Sequence, residues 1–179
     1  MSAFVLLAKP WWVNLLVLIP AIPFLVSRQE TGLPRKQLFV AGCFAIAFGF
    51  VEAAVVVYLR AAAGPWPGPP ANAITAFPGS LSRIECYREA ATMIMLGGVS
   101  WLTGKSFYER VAAFLWMFAL WDIFYYIWLR VTIGWPASFL DTDLLFLVPT
   151  PWIAQVWFPL LVSSLTALAI GLRCSKSSQ

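Results

Sequence analysis

Long apolar runs with very few charges constrain the fold of this chain more than any other feature of its sequence. The run from Leu38 to Tyr58 contains one charged residue, Glu52, and is long enough for a helix to cross a hydrocarbon core of about 30 Å. Hydrophobic residues make up 61% of the chain and charged residues 11%, whereas soluble domains contain about 25% charged residues. A soluble core cannot bury that much apolar surface, so the sequence predicts an integral membrane protein.

Four further apolar runs predict four more transmembrane helices. We therefore expect an all-α, polytopic membrane helix bundle of about five helices, forming one domain over residues 1–179. The expected spans are residues 11–27, 38–58, 82–103, 111–130 and 152–172. Trp11 to Val26 would reach about 24 Å as an α-helix, so full crossing by the first span is left open. Ser82 is the expected N-cap of the third span, with Glu85 in the capping-box position.

Two Pro-rich connections are expected to lie outside the membrane or to re-enter it. They run from Arg60 to Leu81 and from Arg130 to Trp152. Pro and Gly at this density disfavour regular elements, and irregular backbone at membrane depth must be shielded by protein or water. In the second connection, Asp141 and Asp143 are interpreted as a solvated turn or a helix cap rather than a calcium loop.

Small and aromatic residues predict how the helices pack. Ala41, Ala45 and Gly49 form a face at four-residue spacing that allows close helix approach in lipid. Aromatic residues at span ends are typical of interfacial belts. Trp116 and Trp121 lie in mid-span, and three contacts remain open for them: lipid, a pigment-like hydrophobic ligand, or a neighbouring helix.

Basic residues at the ends of the spans and beyond them predict the orientation of the bundle. Those on one side are Arg28, Arg35, Lys36, Lys105, Arg110, Arg173 and Lys176, and those on the other are Lys9, Arg60, Arg83 and Arg130. The richer side is expected to be cytoplasmic, which places the N-terminus outside and the C-terminus in the cytoplasm. The expected partners are the lipid bilayer and either membrane-protein subunits or further copies of this chain.

The chain contains no histidine, which removes several classes of chemistry at once. Histidine-ligated haem, histidine-containing metal sites, Ser-His-Asp and Cys-His catalysis and imidazole relays are all excluded from this chain alone. Cys43, Cys86 and Cys174 show no CxxC spacing and indicate no disulfide framework. The net charge of +4 comes from scattered basic residues, so nucleic acid is not an expected partner. The sequence identifies no cofactor.

A polar stripe in the third span indicates where a site would lie. Glu85, Arg88, Glu89 and Thr92 fall within roughly 100° of one another on a helix. An α-helix rises about 1.5 Å per residue. Counting from the outer ends of the spans therefore places Glu89, Glu52 and Asp122, on three different helices, at one depth of roughly 10 to 12 Å below the outer edge. The candidate ligand-binding or ion-pair residues are Glu52, Glu85, Arg88, Glu89, Thr92, Asp122, Tyr125 and Tyr126.

Several functions are compatible with this stripe. Charges in lipid must face one another, water or a bound ion, and the four acids of the set outnumber Arg88. Arg88 is interpreted either as a packing link that joins Glu52 to Asp122 or as part of an outward-facing pocket that binds or passes a cation, proton or small polar ligand. An accessory subunit of a membrane complex and a membrane enzyme acting on lipid-like substrates through Glu85, Glu89 and Tyr87 are the alternatives. Any metal ion would be held by Glu52, Glu85, Glu89 and Asp122.

Overall fold

Helices form most of the computed structural model, which describes residues 8–23, 32–63 and 79–173. Within these ranges a 3-10 helix at Trp11–Ala21 precedes four α-helices: α1 at Arg35–Ala63, α2 at Gly79–Thr103, α3 at Phe107–Ile133 and α4 at Trp157–Leu172. Three short strands accompany them: β1 at Ala8–Lys9, β2 at Thr142–Phe146 and β3 at Trp152–Gln155. The mostly helical fold that the apolar runs predict is confirmed, and the small sheet is an addition to it.

Two helices are long and apolar enough to cross a membrane by length and composition. They are Arg35–Leu59 within α1 and Phe107–Ile133, which is α3. In the described part of the chain, α2 is not apolar enough for this criterion, and α4 and the 3-10 helix are too short. At 16 residues α4 is about 24 Å long, against a hydrocarbon core of about 30 Å. Length and composition alone therefore identify two of the five predicted spans.

The central helix of the described fold is α3, which contacts α1, α2 and α4. A capping box starts it: the Glu109 backbone N–H donates to Ser106 Oγ at 3.2 Å, and Glu109 Oε2 accepts from the Ser106 backbone N–H at 3.4 Å. Gly134 ends the helix with φ 71°, a left-handed conformation that glycine adopts without steric cost. Both ends of α3 are thus determined by local sequence.

Helices α1 and α3 pack backbone against backbone along the face of small residues. Ala41 and Ala45 are buried, and a Cβ added at Gly49 would lie 3.0 Å from the Trp121 carbonyl oxygen and 3.3 Å from the Tyr125 backbone nitrogen. The core between the two helices also includes Met117 from α3. This face therefore has the close approach that its spacing predicts, with α3 as the neighbour.

Two tryptophans of α3 donate hydrogen bonds to backbone carbonyls of α1. Trp116 Nε1 donates to the Leu38 carbonyl at 2.8 Å, and Trp128 Nε1 donates to the Ile46 carbonyl at 3.1 Å. These bonds satisfy indole N–H groups that would be costly to bury unpaired. Of the three contacts left open for Trp116, the structure shows a neighbouring helix.

The second Pro-rich connection contains strands rather than irregular chain. β2 and β1 both pair antiparallel with β3, in the order β1-β3-β2. Trp152–Gln155, predicted to begin the fifth span, are therefore strand, and α4 starts at Trp157. Pro159 consequently lies in the first turn of α4, where no intrahelical N–H is required. An apolar run does not show whether distant segments will pair with it, which is why the sequence suggested helix here.

The start of the third predicted span also differs from expectation. α2 begins at Gly79, so Ser82 lies inside the helix and is not its N-cap. Most of the first Pro-rich connection, residues 64–78, lies outside the described residues. The capping-box pattern that the sequence suggested for α2 is found instead at the start of α3.

Candidate functional site

A cavity of about 420 Å³ lies between the helices and the sheet. The 3-10 helix, all four α-helices and strands β2 and β3 contribute side chains to its wall. The residues that the sequence singled out all line it: Glu52, Glu85, Arg88, Glu89, Thr92, Asp122, Tyr125 and Tyr126. The polar groups of separate apolar helices therefore converge on one space.

Arg88 links α2 to α1 at one side of the cavity. Its Nε donates to Glu85 Oε2 at 3.0 Å, and its two terminal nitrogens pair with Glu85 Oε1 and Glu52 Oε2. The Thr92 hydroxyl donates to the other oxygen of Glu52, which is 3% exposed. Glu52 is thus the expected partner of Arg88, but the second partner is Glu85, one helical turn away, and not Asp122.

Glu89 connects α2 to the chain segment that follows β2. Its carboxylate accepts the Leu147 backbone N–H at 2.8 and 2.9 Å and the Val148 backbone N–H at 3.2 Å. These N–H groups lie beyond the end of the strand and need an acceptor when they are buried. The buried Glu89 side chain therefore positions one wall of the cavity.

Asp122 connects α3 to α4. Its Oδ2 accepts a hydrogen bond from Ser163 Oγ at 2.7 Å, and the Asp122 side chain is only half-buried because it borders the cavity. Sequence reasoning did not identify Ser163 as a partner of Asp122. A hydroxyl on a packing face carries no sequence signal that names its acceptor.

Asp143 is a site residue that the sequence analysis missed. It was interpreted as part of a solvated turn, but it lies in β2, is 4% exposed, and accepts a hydrogen bond from the Tyr126 hydroxyl at 2.9 Å. The turn role belongs to Asp141 alone, whose Oδ2 accepts the backbone N–H groups of Ala137 and Ser138. Pairing of β2 with β3 buries Asp143, and this pairing is not visible in local sequence.

Aromatic side chains form much of the remaining wall. The Trp121 ring centroid lies 5.4 Å from Phe118, 6.4 Å from Tyr125 and 6.4 Å from Phe146, and Phe146 lies 5.3 Å from Trp152. All five side chains line the cavity. The indole N–H groups of Trp121 and Trp152 are buried and have no acceptor among the described residues. A buried donor without an acceptor is rare in folded proteins, so these two groups distinguish the wall from an ordinary apolar core.

The described residues contain no group of three or more His, Cys, Asp or Glu side chains that could hold a metal ion. The acids named as possible ligands are instead distributed between Arg88, the backbone N–H groups of residues 147–148, and Ser163. The arrangement therefore offers separate hydrogen-bonding positions around a cavity.

Comparison of the chain with protein-family models, with curated proteins and with solved structures finds no match.

Proposed function

We propose that this protein is a multi-pass membrane protein whose helices enclose a binding site for a small organic molecule. The observation that carries the proposal is the cavity itself. Its volume of about 420 Å³ lies within the range of roughly 300–1,000 Å³ typical of small-molecule sites. Its wall is mostly apolar and aromatic with a few convergent polar groups, which is the usual composition of such sites.

Exposed apolar faces support the membrane location. Phe39 on α1, Leu102 on α2 and Val131 on α3 are 71%, 86% and 71% exposed, and only 33% and 39% of the apolar windows of α1 and α3 are buried. Contiguous apolar surface of this kind is rare on soluble monomers, and a bilayer would cover it. We propose that α2 crosses as well, because Arg88 and Glu89 line the cavity rather than the lipid face. If the shorter 3-10 helix and α4 cross too, the five predicted spans form one bundle, with the N-terminus outside.

Cavity size and polar geometry favour an organic ligand over an inorganic ion or a proton path. A hard cation such as Ca²⁺ takes six to eight oxygen ligands at short distance, and the described acids do not form such a cluster. The acids are held by different donors on different elements, and a proton path would need them joined in a continuous chain. Binding therefore explains the arrangement better than passage.

The two alternative functions have less support. Tyr87, the hydroxyl considered for acid/base chemistry, is 74% exposed and does not line the cavity that contains Glu85 and Glu89. The exposed apolar faces fit lipid and a partner subunit equally well, so they do not favour an accessory subunit in particular.

Filling the cavity tests the proposal. The full chain and two variants are purified in mild detergent, and bound small molecules are identified by mass spectrometry. Val56 lines the cavity and Val57 does not, so Val56→Trp is the test and Val57→Trp is the matched control on the same helix. We expect one small molecule to be enriched with the unmodified chain and with Val57→Trp, and lost from Val56→Trp. Absence of any enriched molecule from the unmodified chain, or equal recovery from Val56→Trp, would overturn the proposal.

A further inference from the structure

The acids that line the cavity outnumber its basic side chains. Glu52, Glu85, Glu89, Asp122 and Asp143 border it, whereas Arg88 is the single Lys or Arg among the lining residues that the structure describes. Arg88 is already shared between Glu52 and Glu85. A carboxylate removed from water is costly without a positive partner, so this wall favours a ligand with positive charge over an anionic one.

Asp122 is the acid best placed to meet that charge. Among the described residues it forms no ion pair, and its donor is the neutral hydroxyl of Ser163. Its side chain is half-buried, whereas Glu52, Glu89 and Asp143 are buried. Tyr126, one turn further along α3, donates to Asp143 and so brings a second acid to the same end of the cavity.

The aromatic wall provides the second half of a site for an organic cation. Trp121 belongs to the same helix as Asp122 and packs with Phe118, Tyr125 and Phe146. Aromatic rings attract ammonium groups within about 6 Å through their quadrupole, and aromatic surroundings are the usual recognition mode for alkylated ammonium ligands. The same rings would cover an apolar body attached to that group.

The two indole N–H groups favour a ligand that also carries a hydrogen-bond acceptor. Trp121 is 7% exposed, and neither its N–H nor that of Trp152 has an acceptor in the described part of the chain. An inorganic cation has no lone pair to offer and would leave both donors unsatisfied. A ligand with a hydroxyl, ether or carbonyl oxygen can satisfy at least one of them.

We infer that the cavity binds an organic cation, with its ammonium group paired to Asp122 and its apolar body against Phe118, Trp121 and Phe146. The inference rests on the proposed function and narrows it to one class of ligand.

A matched series of probes tests the charge preference on the unmodified full chain. Benzyltrimethylammonium is the cation, neopentylbenzene is its neutral isostere, and benzylsulfonate is the anion. Binding is measured by isothermal titration calorimetry in nanodiscs of phosphatidylcholine, with empty nanodiscs as the blank. We expect saturable binding of the cation at least about tenfold tighter than that of the isostere, because pairing a charge with Asp122 is worth more than a neutral contact, and no binding of the anion.

The variant Asp122→Asn tests whether Asp122 is the acid that pairs with the ammonium group. It is expected to weaken binding of benzyltrimethylammonium at least about tenfold, because an amide keeps the size of the side chain and removes its charge. Asp141→Asn removes the same charge from an acid outside the cavity wall and is expected to leave the affinity unchanged. The probe series needs no variant, so it decides the charge preference even if Asp122→Asn does not fold.

The outcomes separate this inference from the proposed function. Equal affinity for the cation and its neutral isostere, or full cation affinity in Asp122→Asn, overturns the cation inference and leaves a small-molecule site in place. Binding of the anion alone overturns it in the same way. No saturable binding of any probe, together with no small molecule enriched in the purified chain, overturns both.

Discussion

Arg88 is the residue on which the polar side of the cavity depends. Its planar guanidinium pairs with acids from two helices at once, an arrangement that suits arginine better than lysine. Glu52 is 3% exposed, so without Arg88 its carboxylate keeps only the hydroxyl of Thr92. The arginine therefore stabilises a buried charge, whatever ligand the cavity holds.

We predict that Arg88→Gln lowers the free energy of unfolding by about 3 kcal/mol. Removing one partner of a buried ion pair leaves the other charge, here the Glu52 carboxylate, buried and unpaired. Glu52→Gln combined with Arg88→Gln is expected to be more stable than Arg88→Gln alone, because this change leaves no unpaired charge on Glu52. Arg130→Gln, which loses hydrogen bonds at the exposed end of α3, is the control and is expected to cost less than about 1 kcal/mol. Denaturant unfolding in micelles, followed by circular dichroism, measures all three. A double variant that is no more stable than Arg88→Gln alone would contradict the pairing.

The contact between helices α1 and α3 positions the residues that line the cavity. Gly49 lets the two backbones approach beside Trp121 and Tyr125, two residues that line the cavity. Glu52 follows Gly49 by three residues, so it shares this face and is directed toward the cavity wall. Close packing of the helices and placement of the acid thus depend on the same spacing in α1.

Gly49→Ala and Gly97→Ala form a matched pair at the level of the helices. At Gly49 the added Cβ meets the α3 backbone at 3.0 Å, whereas at Gly97 in α2 it meets nothing within 4 Å. We expect Gly49→Ala to lower the free energy of unfolding by about 1–3 kcal/mol through overpacking. Gly97→Ala is expected to be neutral or stabilising by up to about 1 kcal/mol, because alanine favours helix. Equal effects in the same unfolding assay would show that α1 and α3 do not pack this closely.

At the scale of the whole molecule, the cavity exists because nearly every described element contributes to it. The 3-10 helix, the four α-helices and two of the strands each supply part of the wall, and Glu89 and Asp122 join elements that lie far apart in the chain. The orientation proposed for the bundle places the turn between α2 and α3 in the cytoplasm and the connection between α3 and β2 outside the cell.

Cysteine accessibility tests that orientation. In a background with Cys43, Cys86 and Cys174 changed to Ser, a single cysteine replaces either Lys105 or Ala137. Both positions are exposed, and they lie beyond opposite ends of α3. We expect a membrane-impermeant maleimide to label Ala137→Cys in intact cells and Lys105→Cys only after lysis. The reverse pattern would invert the orientation, and labelling of both from one side would show that α3 does not cross.

Sequence alone predicted the mostly helical fold and eight of the polar residues that line the cavity, without Asp143 and Ser163. Apolar runs of helical length define the elements, and charges within such runs are too costly to face lipid, so they must converge in the interior. The capping box of α3 and the small face of α1 are likewise local patterns that the structure contains.

The partners of those residues were decided only by the tertiary structure. Arg88 pairs with Glu85 and not Asp122, Glu89 binds backbone N–H groups beyond β2, and Asp143 is buried by strand pairing. Each of these outcomes depends on segments distant in sequence coming together. A residue's own spacing shows which face of an element it occupies, but the group it meets there depends on how the other elements pack.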